Sequence, residues 1–168
     1  RMDGRNALIT GSSRGLGRAM ALNFAASGAN VVICGRRENL LSETLKEVEA
    51  VSDTKAFAFV GDVSTAAGVA KLLDNAENAL GHIDILINNA GASLRKPFCE
   101  ISDEEWVKDF EVKVYAAIRT CRHVLPGMMD RKWGRIINVL NIGAKAPPGG
   151  GAPTAVSRAT GMALTKVL

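Results

Sequence analysis

Aromatic residues are scarce in this sequence: Phe, Trp and Tyr together make up 5% of its 168 residues. Hydrophobic residues nonetheless make up 47% of the chain, enough to fill a core at this length. Small and aliphatic side chains supply most of that share, which is typical of a parallel sheet covered by helices and argues against a β-sandwich. The length fits one domain.

Cysteine and histidine are also few, with three and two residues. They lie far apart, at Cys34, Cys99, Cys121, His82 and His123, and no Cys-x-x-Cys motif occurs. This distribution argues against a disulfide framework and a zinc site, and we expect no metal and a reducing, cytoplasmic location. No apolar run approaches the length of a membrane span and no signal peptide is visible, so we expect no membrane partner.

Runs of basic residues are absent, although the net charge is +4. Proteins that bind nucleic acid usually combine a basic stripe with aromatic stacking residues, and this chain has neither. We therefore expect no nucleic-acid partner, while the basic balance remains compatible with a phosphate-bearing ligand.

Strand-like and helix-like segments alternate along the chain. Short aliphatic runs predict strands at 6–10, 31–34, 55–60, 83–87 and 135–140. Helical spacing of apolar residues predicts helices at 16–28, 38–51, 64–80 and 102–129, and a last one from about Pro153. Ser64 is the expected N-cap of the third helix, and Ser102 begins a capping-box pattern. Because parallel strands need crossover helices, the alternation predicts an α/β fold with a doubly wound parallel sheet. Ligands of such sheets bind at the carboxyl ends of the first and fourth strands.

A glycine-rich turn, Thr10-Gly11-Ser12-Ser13-Arg14-Gly15-Leu16-Gly17, joins the first strand to the first helix. Its glycines allow close approach to a pyrophosphate, and free N–H groups at a helix N-terminus complement an anion. The spacing differs from the GxGxxG fingerprint, so a simple strand-to-helix turn remains an alternative. The position after the first strand favours a dinucleotide cofactor.

No carboxylate follows the second strand, where an NAD site usually has one. Gly35 stands there instead, followed by Arg36 and Arg37. Guanidinium groups can bind a ribose 2′-phosphate, and Arg14 in the glycine turn can reach the same place. The expected cofactor is therefore NADP(H); the alternative is that Arg36 and Arg37 are solvated surface charges.

In combination these motifs resemble the short-chain dehydrogenase/reductase family. The glycine turn is similar to its TGxxxGxG motif, Asp62-Val63 to its adenine-contacting pair, and Asn88-Asn89-Ala90-Gly91 to its NNAG motif. The resemblance implies a three-layer Rossmann fold with strand order 3-2-1-4-5, and a homodimer or homotetramer. The cofactor-binding positions are then Gly11, Ser13, Arg14, Gly15, Leu16, Gly17, Arg36, Arg37, Asp62, Val63, Asn89, Ala90 and Gly91.

The catalytic positions of that family hold other residues here. Members have a Ser after the fifth strand, a Tyr thirteen residues later, a Lys four after that, and an Asn in the long fourth helix. Counting without gaps places Asn141, Thr154, Arg158 and Lys113 at the Ser, Tyr, Lys and Asn positions. A Thr hydroxyl is a poor proton donor beside a tuned phenol, and Arg stays protonated. Asn141 can still donate a hydrogen bond to a carbonyl oxygen.

Lys113 admits two interpretations. A lysine on a long helix is expected to point to solvent. Alternatively, the positive charge of Arg158 lowers the pKa of Lys113, which then serves as an acid.

Two functional hypotheses follow. The first is an NADP(H)-dependent oxidoreductase of carbonyl or alcohol substrates with impaired or altered chemistry; the alternative is a catalytically inactive NADP(H)-binding sensor or partner subunit. Members of the family usually continue with two more strands and a substrate-covering loop, whereas this sequence stops at Leu168. We therefore expect residues 1–168 to form a single NADP(H)-binding domain, incomplete at its carboxyl end.

Overall fold

Five strands alternate with helices in the computed structural model, which describes residues 2–168. The strands are β1 (Asn6–Ile9), β2 (Asn30–Gly35), β3 (Ala56–Val60), β4 (Ile85–Asn88) and β5 (Arg135–Asn138). The helices are α1 (Gly15–Ala26), α2 (Glu38–Val51), α3 (Ala66–Leu80), α4 (Asp103–Phe110), α5 (Ala116–Asp130) and α6 (Thr154–Val167). A π-helical turn, Glu111–Tyr115, joins α4 to α5.

The strands form one parallel sheet in the order β3-β2-β1-β4-β5, which confirms the predicted doubly wound topology. Ile9 pairs with Ile33 of β2 and with Ile87 of β4, so these three strands end at the same edge. The chain reverses its winding between β1 and β4, and a crevice opens there beyond the strand ends.

Two apolar layers cover the sheet, because successive strand residues point to opposite faces. Leu8 and Leu86 pack with residues of α3 and α5. Their neighbours Ile9 and Ile87 pack with residues of α1 and α2. All four side chains are fully buried, and this core holds the strand ends in register.

Local boundaries differ from the predictions in small ways. Thr65, not Ser64, caps α3, and its hydroxyl accepts a hydrogen bond of 3.0 Å from the N–H of Gly68. Ser64 lies in the turn before the helix, where its N–H donates to the Asp62 carboxylate at 2.9 Å. The predicted capping box is present, with reciprocal bonds between Ser102 and Glu105.

The stretch predicted as one helix at 102–129 is interrupted by the π-helical turn. One extra residue in that turn changes the direction of the side chains it contains, and Lys113 and Val114 point inward. Within residues 2–168, no helix is both long and apolar enough to cross a membrane.

Candidate functional site

A cleft of about 510 Å³ runs along the carboxyl ends of β1, β2 and β3; we call it the main cleft. It brings together most of the predicted cofactor positions: Gly11, Ser13, Arg14, Arg36, Arg37, Asp62, Val63, Ala90 and Gly91. Gly15, Leu16, Gly17 and Asn89 do not line it. Six further lining residues were not among the predicted cofactor positions: Cys34, Gly35, Gly61, Ser64, Ala92 and Val112. Cys34 and Gly61 lie at or just after strand ends, which is the signal that could have found them.

The glycine turn is closely packed against the segment after β4. A Cβ at Gly11 would lie 2.8 Å from the Cα of Ala90, and one at Gly17 would lie 2.4 Å from the carbonyl oxygen of Gly11. The side-chain amide of Asn89 donates to the carbonyls of Thr10 and Gly11, both at 3.0 Å. Gly17 and Asn89 therefore hold the conformation of the turn, while other residues line the surface of the cleft.

Helix α1 begins without a cap beside Arg14, which borders the main cleft. Arg14 occupies the N-cap position and makes no capping bond, and the first turn of α1 contains no acidic residue. The N–H groups of that turn are thus available, at the positive end of the helix. An anionic ligand would complete this turn.

The three arginines predicted to bind phosphate are exposed around the main cleft. Arg36 lies 3.8 Å from the carboxylate of Asp62 and is 76% exposed, a long pair that contributes little. Arg14 and Arg37 make no ion pair with any residue between 2 and 168. The glycine turn, the uncapped helix and three available guanidiniums together fit a dinucleotide that carries an additional phosphate.

Cys34 lies buried on the floor of the main cleft. Burial raises the pKa of its thiol to about 12, and the negative charge of Asp62 acts in the same direction. In the unfolded chain the thiol has its ordinary pKa of 9.0. Between these values the folded state holds the proton that the unfolded state loses, so stability falls as pH rises through this window.

We therefore expect a disulfide reagent at pH 8 to label the exposed Cys99 in native protein, and Cys34 only after unfolding. Mass spectrometry of labelled peptides measures this directly. Cys34→Ala should also reduce the loss of unfolding free energy above pH 9, compared with the parent chain. Equal labelling rates at Cys34 and Cys99 would contradict the burial of Cys34.

Three of the four residues at the catalytic positions meet near the carboxyl end of β5. The ammonium of Lys113 pairs with Asp109 and donates to the Thr154 hydroxyl at 2.8 Å. The side chains of Lys113 and Asp109 are only 1% and 4% exposed. The expectation that Lys113 points to solvent is therefore wrong, because the π-helical turn directs this side chain toward α6.

Two residues that the sequence interpretation did not select complete this group. Ser157 donates to the second oxygen of Asp109 at 2.5 Å, and we call Asp109, Lys113, Thr154 and Ser157 the buried polar cluster. The Thr154 hydroxyl donates to the carbonyl of Leu94 at 2.9 Å and accepts from the N–H of Leu94 at 3.0 Å. Its hydrogen-bonding capacity is thus used inside the protein.

Burial and neighbouring charges shift the pKa values of the two cations in this region, Lys113 and Arg158. Burial lowers the pKa of Lys113 and the nearby Arg158 lowers it further, while Asp109 raises it. Burial also lowers the pKa of Arg158, whose Nη1 donates to the carbonyl of Val139 at 2.6 Å. The Nε atom of Arg158 is buried without a hydrogen-bond partner. The predicted influence of Arg158 on Lys113 has the expected direction, although burial is the larger cause.

Asn141 is separated from the other three catalytic positions. It is exposed and lines a second pocket, which we call the side pocket. The residues around it are Arg95, Asn141, Ile142, Gly143, Ala146, Pro148, Gly151, Thr154 and Ala155. Thr154 is shared between this pocket and the buried polar cluster. Across residues 2–168, no group of three or more His, Cys, Asp or Glu side chains is arranged to hold a metal ion.

Curated relatives align with most of the length of this chain. An oxidoreductase named YvrD from Bacillus subtilis is 39% identical over 132 residues, which cover 79% of this chain and 49% of the relative. Ketoacyl reductase HetN from a Nostoc strain is 36% identical over 144 residues, covering 86% of this chain and 50% of the relative. The chain thus spans about half the length of these relatives.

Solved structures share its fold. L-Sorbose reductase from Gluconobacter frateurii, complexed with NADPH and L-sorbose, matches with a TM-score of 0.95 and 34% identity over 99% of this chain and 63% of its own. A metagenomic short-chain oxidoreductase in complex with NADP matches with a TM-score of 0.93 and 29% identity, over 99% and 75% of the two chains. The short chain dehydrogenase family model matches residues 5–168. By sequence, fold and the geometry of its main cleft, this chain belongs to the short-chain dehydrogenase/reductase family.

Proposed function

We propose that this chain binds NADP(H) in its main cleft and belongs to an oxidoreductase that exchanges hydride slowly with a carbonyl or alcohol substrate. The observation that carries the cofactor assignment is the set of three exposed arginines around a cleft whose second strand ends without a carboxylate. The NADPH and NADP complexes of similar solved structures support the same cofactor. A homodimer or homotetramer and a cytoplasmic location remain predictions.

Each part of the main cleft has a role in this proposal. The glycine turn and the open N-terminus of α1 receive the pyrophosphate. Arg14, Arg36 and Arg37 bind the 2′-phosphate, since guanidinium groups form paired, charge-assisted hydrogen bonds with phosphate oxygens. Asp62 and Val63 contact the adenine, and the Ala90-Gly91 segment lines the ribose side. When bound, the cofactor supplies or accepts the hydride.

Proton transfer is the step for which this chain lacks the usual residues. The Thr154 hydroxyl is committed to Leu94 and Lys113, and it is far less acidic than a phenol. Arg158 remains a cation and supplies positive potential without relaying a proton. Losing a general acid typically slows a reaction by about 10²–10⁴-fold, while positioning of the reactants still contributes. We therefore propose impaired rather than ordinary turnover.

The second candidate is an NADP(H)-binding sensor or partner subunit without catalysis. The observation in its favour is that the buried polar cluster is satisfied internally, with Lys113 sealed from solvent behind Thr154. Steady NADPH oxidation with a panel of carbonyl compounds separates the two candidates. Turnover that Asn141→Ala reduces supports the enzyme, and tight NADPH binding without any turnover supports the sensor.

The cofactor assignment predicts that Arg36 and Arg37 create a preference for NADPH over NADH. Replacing Arg36 and Arg37 together by Ala should weaken NADPH binding roughly 10–100-fold and leave NADH binding nearly unchanged, because only NADPH has a 2′-phosphate. Calorimetric titration of the full chain measures both affinities. Lys108→Ala and Arg122→Ala together, on the exposed sides of α4 and α5, are the matched control because they remove the same number of positive charges. Equal affinity of the parent chain for NADPH and NADH would overturn the assignment.

A further inference from the structure

The side pocket combines apolar walls with two uncommitted polar side chains. Ile142, Ala146, Pro148 and Ala155 form apolar parts of its wall, and among residues 2–168 Arg95 is the only charged residue that lines it. Sites that bind small organic molecules commonly have this composition, with a few polar groups that fix the orientation of the ligand.

The backbone around Arg95 is fixed at the mouth of the side pocket. Arg95 forms an isolated antiparallel bridge with Pro153 at the start of α6. Leu94, immediately before it, exchanges two hydrogen bonds with the Thr154 hydroxyl. The guanidinium therefore extends from an anchored position and not from a free loop.

No carboxylate competes for this guanidinium. Arg95 is exposed and makes no ion pair with any residue in the described range 2–168. Nearby, Glu105 is paired with Lys96, and Asp109 is paired with Lys113 inside the buried polar cluster. The side-chain amide of Asn141, on the same pocket, also has no hydrogen-bond partner within that range. Two planar donor groups thus face one small pocket without an acceptor.

The side pocket is also close to the main cleft, so one small molecule can extend from the first toward the second. Arg158 and Lys113 line a small gap with Ala90 and Val112, and the last two residues also border the main cleft. Leu140 borders the same gap, and the next residue, Asn141, borders the side pocket. The three spaces therefore follow one another along the carboxyl edge of the sheet.

We propose that the side pocket binds the carboxylate of a small carbonyl or alcohol substrate, with Arg95 as the main anchor and Asn141 as a second donor. A guanidinium and a carboxylate are both planar and pair through two parallel hydrogen bonds, and that geometry selects a carboxylate over a neutral group. The apolar walls accept the hydrocarbon part of the substrate. This inference rests on the proposed oxidoreductase function and adds the substrate class to it.

The test compares two benzaldehydes that differ only in the para group: 4-carboxybenzaldehyde, which carries a carboxylate, and its neutral methyl ester. Binding of each to the full chain is followed by NMR line broadening of the probe, with and without NADPH, so that the readout does not depend on turnover. We expect the acid to bind roughly tenfold more tightly than the ester. Arg95→Gln should abolish that preference, and Arg95→Lys should retain part of it. Lys145→Gln removes the same charge from a neighbouring exposed position outside the lining, and it should leave the preference intact.

Several results would overturn the proposal: equal binding of acid and ester, a preference that survives Arg95→Gln, or one that Lys145→Gln reduces equally. Failure of the cofactor assignment is recognised separately. A chain that shows no NADPH binding by calorimetry contradicts the proposed function, while the acid and ester measured without NADPH still decide whether Arg95 selects a carboxylate.

Discussion

Replacing Lys113 by Met is expected to lower the free energy of unfolding by about 3–5 kcal/mol, one of the largest effects available in this chain. The methionine has a similar length but no charge, so it leaves the Asp109 carboxylate buried without its cation. That carboxylate keeps the hydrogen bond from Ser157, since the one proton of the Thr154 hydroxyl is donated to the carbonyl of Leu94. Breaking a buried ion pair costs more than the pair itself contributes, because the remaining charge has lost its hydration. Denaturant unfolding followed by circular dichroism measures the change.

Two further variants make this prediction specific. Lys108→Met removes the same charge from the exposed side of α4 and should change stability by no more than about 0.5 kcal/mol. The double variant Asp109→Leu/Lys113→Met removes both charges and should recover most of the loss, since apolar replacements of a buried pair are often neutral or stabilising. Lys113→Met with no greater effect than Lys108→Met would show that the ion pair is not buried as described.

The sheet and the main cleft could be predicted because their signals are local and repeated. Five aliphatic runs separated by helical segments determine a doubly wound sheet, since parallel strands require crossovers and those crossovers are right-handed. The glycine turn follows β1 directly, and a Cβ at Gly17 would meet the carbonyl oxygen of Gly11 within the same turn. Arg36 and Arg37 follow the end of β2 in the same way. A residue that directly follows a strand end lies at the site because of its place in the sequence, and its position does not depend on contacts with distant segments.

The buried polar cluster could not be predicted because it depends on contacts between distant segments. Hydrophobic periodicity of 3.6 does not reveal a single π-helical turn, and the turn decides which way Lys113 points. The i,i+4 spacing of Asp109 and Lys113 was a usable local signal. Ser157 and Leu94 carry no such signal, since they join the cluster only when α6 and the segment after β4 pack against the π-helical turn.

Restoring the family's residues at three positions is expected to raise NADPH-dependent carbonyl reduction by about 10²–10⁴-fold over the parent chain. The variant is Asn141→Ser, Thr154→Tyr and Arg158→Lys together. It supplies a phenol that can give its proton to a developing alkoxide, beside a lysine on the same helix face. Lys113 is left in place because Asp109 needs its cation, and its positive charge also favours ionisation of the new phenol. Turnover is measured as NADPH oxidation, with NADPH affinity determined on the same sample.

The three single variants are the controls, because groups that act as a unit have non-additive effects on rate. Thr154→Tyr alone places the phenol beside Arg158, whose guanidinium cannot exchange a proton, so its rate should stay within a few-fold of the parent. Arg158→Lys or Asn141→Ser alone leaves the chain without a phenol and should also have little effect. A triple variant that binds NADPH as tightly as the parent and reacts no faster would mean that these residues do not limit the chemistry. Positioning of the substrate between the side pocket and the main cleft, and not proton transfer, would then limit the rate.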